Sequence, residues 1–271
     1  MASRTIHPLT TAAQTHLTAL ETRWAGSLHL QMLSFPLRKC IVTQKVLPTS
    51  LMFQLKPFPL PPSPPSPSKK AQERIVMLPN QILHPKYACR KLGRGVWCTL
   101  DARVLGAMLE RGSWKIVSAR AEMGREMGAL VWTQLGERVV QEAHVLAERF
   151  SGRKRLDLFH VQEDAAKVSF AIRMSRASAS TPTLQRQQHA GTTIFEPVFK
   201  DPDQAERFET AIHALTPSLA QEAAQDGTVF FAKQSHITAP LGIALYRLNM
   251  WTSNSSDPSI PRPAAHKQAT P

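Results

Sequence analysis

Apolar and polar positions along this chain change period several times, and each change marks an element. In SLMFQLKPF, Leu51, Phe53 and Leu55 fall on one side of the backbone, the two-residue period of a strand. ERIVML (73–78) and GVWCTL (95–100) are short apolar runs near Pro and Gly, again strand-like. Asp101 is placed to cap a helix over ARVLGAMLERG, which Gly112 should end. SWKIV (113–117) reads as another strand. The longest helix is expected within 119–150, where Leu135, Val139, Ala143, Leu146 and Phe150 repeat at helical spacing and Glu137, Arg138, Glu142 and Glu148 face out. Gly124, Gly128 and Gly136 weaken its first half by about 1 kcal/mol each relative to Ala.

Farther along, LDLFHV and KVSFAIRM read as strands joined by QEDAA (162–166) as a hairpin. TTIFEPVF follows, then a helix from Asp201 that buries Phe208, Ile212 and Leu215. TVFFAKQ and GIALYRLNMW read as closing strands. The order of elements is mixed, which predicts an α+β fold with one long and several short helices.

Two breaks interrupt the pattern. PFPLPPSPPSPSKK (57–70) holds seven prolines in fourteen residues, a composition that favours extended polyproline conformation. SRASASTPTLQRQQHAG (175–191) is polar and should loop out of the fold. The expected organisation is a targeting segment over 1–27, an arm over 28–56 packing on the core, and a proline-rich linker over 57–72. An α+β core domain over 73–252 and a disordered tail over 253–271 complete it.

Charge sharpens the picture. The chain carries 33 Lys and Arg against 20 Asp and Glu, a net +13. Such an excess favours nucleic acid, a ribosome or an anionic membrane surface. Residues 1–72 hold eight of the cations and a single acid, Glu21. Acid depletion with Ser, Thr and Arg resembles an organelle transit peptide, and over 9–24 Leu9, Ala13, Leu17, Leu20 and Trp24 share a helical face. The alternative is a plain surface helix or tail. No apolar run approaches the ~18–20 residues that span a bilayer, so the chain reads as soluble, without a transmembrane segment.

The stretch HPKYACRKLGRGVWC, residues 84–98, concentrates the candidate chemistry. Lys86, Arg90, Lys91 and Arg94, with Tyr87 and Trp97 beside them, suit phosphate contact and base stacking. A solvated loop is the competing reading. Arg153, Lys154 and Arg155 form a second cluster that could touch nucleic acid or favour the C-terminal end of the preceding helix dipole. Gly93-Arg94-Gly95 lacks the third glycine of a dinucleotide fingerprint and the Lys-Ser/Thr of a phosphate loop. Cys89 and Cys98, nine positions apart, lack the close spacing of a structural zinc site even with His84 or a spatially recruited Cys40; Cys98 reads as core, and the three cysteines as free thiols. No nucleophile elbow, zinc-protease helix or Cys-x-x-Cys pair is present, and Glu163 and Asp164 read as turn residues. No cofactor or metal is implied, and a non-enzymatic role is expected; an enzyme would need a dispersed site.

Met32–Arg38, Leu47–Pro48 and His84–Cys98 occur in an order that resembles the fungal mitochondrial proteins named for being required for respiratory growth, the eighth of that series. The resemblance covers roughly residues 30–150. It implies a mitochondrial matrix protein needed for respiration and for maintaining or expressing the mitochondrial genome, with mitochondrial nucleic acid, the mitoribosome or other matrix proteins as partners. The family offers no catalytic residues to transfer. A structural subunit or assembly factor acting by protein contacts is the alternative.

Overall fold

Asp101 begins its helix as the sequence predicts. Its backbone is extended and its Oδ1 accepts from the Arg103 amide at 2.8 Å. Gly112, at φ 64°, ends the same helix with its N–H donated to Met108. The computed structural model in which these contacts occur describes residues 21, 24–60, 74–86, 94–150, 158–160, 168–174, 188–189, 192–215 and 228–253. The expected targeting helix lies outside them apart from Glu21 and Trp24, as do the tail beyond Ser253 and the pair Glu163–Asp164.

The elements follow in order. A short helix α1 (Leu28–Leu33) leads to a two-stranded ladder of β1 (Leu37–Lys39) and β2 (Val46–Pro48). Strands β3 (Met52–Leu60), β4 (Arg74–Asn80) and β5 (Val96–Thr99) precede α2 (Ala102–Arg111), β6 (Ala121–Glu122) and the long α3 (Met127–Phe150). Then come β7 (Phe159–His160), β8 (Val168–Arg173), β9 (Gln188–His189), β10 (Thr192–Phe195), α4 (Pro202–Leu215), β11 (Val229–Lys233) and α5 (Ala239–Thr252). One sheet has the order β5-β3-β4-β6 and the other β7-β11-β8-β10-β9, both mixed, so the fold is α+β. A single buried cluster contains Phe53 and Leu55 of the first sheet, Phe170 and Phe230 of the second, and Val139 and Leu245 from the helices.

Several expectations change. The proline-rich linker begins later than residue 57, because Pro57 and Pro59 lie in β3, paired with Met77 and Ile75 of β4. Strand β5 covers β3 only over Met52–Leu55. Beyond that point no described strand pairs with that side of β3, so a proline there removes no described ladder bond. SWKIV is a turn of 3₁₀ helix at Ser113–Ile116, not a strand: Trp114 turns in to donate its indole N–H to Ala121 at 3.2 Å, and Ile116 is left 80% exposed. The long helix, Met127–Phe150, does fall within the expected 119–150. QEDAA lies outside the described residues, but the strands on either side of it are not hairpin neighbours, since β11 lies between β7 and β8 and pairs with both.

The largest revision is GIALYRLNMW, which is helix α5 rather than a strand. Ala239, Leu241, Gly242, Ala244, Leu245, Leu248 and Trp251 are all buried, so apolar residues occur all round the helix. Such a helix leaves no polar stripe for periodicity to detect. Its packing is close at Gly242, where a Cβ would lie 2.8 and 2.9 Å from the Phe170 ring and 3.1 Å from Leu28. Gly136 of α3 has a comparable reason, because the Gln204 amide of α4 lies against it and donates to the Thr133 carbonyl at 3.0 Å.

Candidate anion site and the basic stretch

Strand geometry puts alternate side chains of β3 on opposite faces, so Met52 and Lys56 share a face while Phe53 and Leu55 point the other way. On α5, Pro240, Ile243, Ala244 and Arg247 follow the i, i+3, i+4, i+7 stripe. These two surfaces, with Asn80, Gln81, Trp97 and Arg138, line a half-open cavity of about 770 Å³. A second cavity of about 270 Å³, lined by His84, Glu142 and Arg149 among others, shares Phe35, Pro85, Arg138, Pro240 and Ile243 with the first.

The larger cavity has three cations in its wall, Lys56, Arg138 and Arg247, and no carboxylate among its described lining residues. Lys56 and Arg247 are each more than nine-tenths buried. Arg247 donates from Nη2 to the Met52 carbonyl at 3.0 Å, and its buried Nε has no hydrogen-bond partner among the described residues. Burial, and then the Arg138 charge, lower the Arg247 pKa to about 10. Arg138 is held by Glu142 at 2.6 Å, one turn along α3. Burial lowers its pKa too, with Glu142 opposing. The expectation that Arg138 and Glu142 face out is therefore corrected: Glu142 is 5% exposed, and the pair lies inward because Arg138 needs its carboxylate where water is scarce.

Two backbone features shape the wall. Gly95 permits β5 to approach β3, since a Cβ there would lie 2.6 Å from the Leu55 carbonyl and 2.7 Å from Lys56 Cγ. Gln81 holds a left-handed backbone at φ 60°, a conformation costly for a residue with a Cβ.

The basic stretch borders this cavity, because Pro85 and Trp97 line it. Of the seven cations singled out from sequence, Lys86 and Arg94 are described. Arg90, Lys91, Arg153, Lys154 and Arg155 lie outside the described residues, as does Cys89. Lys86 extends to Glu148 at 2.8 Å, both side chains being exposed, and Arg94 is exposed. His84 turns toward α3. Its amide donates to Gln141 at 2.9 Å, its Nδ1 accepts from the Lys86 amide at 3.0 Å, and its Nε2 is 4.0 Å from Glu142. Desolvation lowers its pKa, against the pull of Glu142 and with Arg138, Arg149 and Lys86 reinforcing.

Cys40 and Cys98 are both free and fully buried. A hydrogen bond from the Cys98 thiol lowers the Cys40 pKa to about 4 against the effect of burial, and the amides of Thr43 and Thr99, each donating to Cys40 Sγ at 3.4 Å, lower it further, while burial raises that of Cys98. Cys98 is the core strand residue the sequence indicated. Among the described residues no three His, Cys, Asp or Glu side chains converge as metal ligands do.

Sequence reasoning passed over Lys56 and Arg247. The available signal was a single arginine inside the apolar run GIALYRLNMW, where a cation with water on no side must find other company. Among the described residues no helix is long and apolar enough to cross a membrane. No family model, curated protein or solved structure matches the chain.

Proposed function

We propose that this chain is a non-enzymatic mitochondrial matrix factor that supports maintenance or expression of the mitochondrial genome. Its basic stretch at 84–98 contacts nucleic acid or the mitoribosome. The observation that carries the reading is how the acids are spent. Asp101, Glu122, Glu137, Glu142, Glu148, Glu196 and Asp203 each lie within ion-pair distance of an Arg or Lys. With those carboxylates engaged, the net +13 is carried by the remaining cations and favours polyanionic partners; Lys86, held by Glu148 in an exposed pair, would have to exchange that carboxylate for a phosphate. The acid-poor first quarter and the resemblance over residues 30–150 support the compartment.

Replacing Lys86, Arg90, Lys91 and Arg94 together with Ala tests the contact. Binding to RNA or DNA should weaken, and the slope of log affinity against log salt should flatten by about 0.7–0.9 per lost phosphate contact. An unchanged slope removes this stretch from the interface. A fluorescent fusion with and without residues 1–27 tests the compartment.

A second reading has its own support. Leu30, Leu33, Leu37 and Val46 are large apolar side chains exposed on and around α1 and the β1–β2 ladder. Such surface suits a protein partner and a role in assembly. Co-sedimentation after nuclease treatment separates the two: a surviving complex favours protein contacts.

A further inference from the structure

Arg247 donates one hydrogen bond among the described residues, from Nη2 to the Met52 carbonyl, and its buried Nε has no partner there. The charged group acting on it is another cation, Arg138, which Glu142 answers at 2.6 Å. Lys56 of the same wall has a partner of its own, so Arg247 is the cation left to be matched. A guanidinium so buried is unfavourable unless an anion joins it. The side chain lines the half-open cavity of about 770 Å³, which accommodates a drug-sized molecule and whose described wall holds no carboxylate. Met52, Trp97 and Ile243 give that wall an apolar part. One cation calls for one negative charge, and the planar fork of arginine pairs its donors with the two oxygens of a carboxylate. The left-handed Gln81 in the same wall is the kind of backbone cost that collects at ligand sites.

We propose that this cavity binds a small monocarboxylic acid with an apolar body, the carboxylate on the Arg247 guanidinium and the body against Trp97 and Ile243. Such a ligand draws on Arg247 and on none of the cations assigned to nucleic acid above, so either assignment can fail without the other.

The test uses the full chain, read by titration calorimetry and thermal shift. Hydrocinnamate and octanoate are the probes, one with an aromatic and one with an aliphatic body. Hydrocinnamide lacks the charge, acetate lacks the body, and phenyl phosphate carries a second charge. At least one of the two acids should bind and raise the melting temperature, and each comparison should bind about tenfold or more weakly than that acid. Arg247→Met should weaken the acid about ten- to hundredfold, the range for a lost charge-assisted hydrogen bond. Arg247→Lys keeps a charge without the fork and should weaken it severalfold, which gives a second reading should the first variant fold poorly. Binding by neither acid overturns the proposal. So does hydrocinnamide binding as tightly as hydrocinnamate, phenyl phosphate binding more tightly than both acids, or an affinity that these substitutions leave unchanged.

Discussion

Arg247 and Met52 stand 195 positions apart and are joined by one hydrogen bond, from the buried guanidinium to the strand carbonyl. That bond ties α5 to β3 across the cavity, and two opposing effects decide what it contributes. Losing it leaves a buried carbonyl unsatisfied, at a cost of about 1–3 kcal/mol. Removing a buried cation with no acidic neighbour among the described residues returns a desolvation penalty of similar or larger size. Arg247→Met should therefore keep the fold and change stability by less than about 2 kcal/mol in urea unfolding. Arg247→Ala, which also empties side-chain volume, should be the less stable of the two.

The same substitution at two helix glycines should have opposite signs. Gly242→Ala drives a methyl into the fully buried Phe170 ring, and overpacking of this kind costs about 1–3 kcal/mol, more than the helix propensity gained. Gly106→Ala, in α2, meets nothing within 4 Å and should stabilise by up to about 1 kcal/mol. Urea midpoints of the two variants moving in the same direction would contradict the close approach of α5 to β8.

His84 makes stability depend on pH. Its Nδ1 accepts from the Lys86 amide, which requires that nitrogen to be unprotonated, and desolvation lowers its folded pKa below 6.5. The unfolded chain therefore takes up the proton first. Stability from this group is full above the unfolded pKa and declines as the pH falls from about 7 through 6.5 toward the folded value. His84→Asn keeps an oxygen acceptor for the amide but cannot titrate. Its denaturation midpoints between pH 7 and 5 should fall less than those of the parent chain.

Gln81 carries a left-handed backbone at φ 60°. Gln81→Gly relieves that cost and adds unfolded-state freedom, for a net gain of up to about 1 kcal/mol. Urea midpoints of the variant and the parent chain read the gain.

What could be read from sequence was local. Asp101 and Gly112 bracket α2 because capping chemistry involves neighbours a few positions apart. Phe208 and Ile212 marked the buried side of α4 because one of its faces stays wet. Long-range placement was hidden. The strand β11 enters between β7 and β8 from far along the chain, and no property of QEDAA announces it. Helix α5 lost its period by being surrounded. Glu142 looked like a surface acid until Arg138 and His84 were brought around it. The cavity was least visible, because its cations come from a strand, a long helix and the last helix, each ordinary in its own neighbourhood.

Leu60 and Arg74 face each other across the β3–β4 ladder. The proline-rich run therefore starts and finishes at the same spot on the sheet. Cleaving it should leave both halves gripped by seven paired positions and a common interior. A foreign module spliced in there would hang from the molecule like a tag on a closed zip, giving a handle for labelling or pull-down.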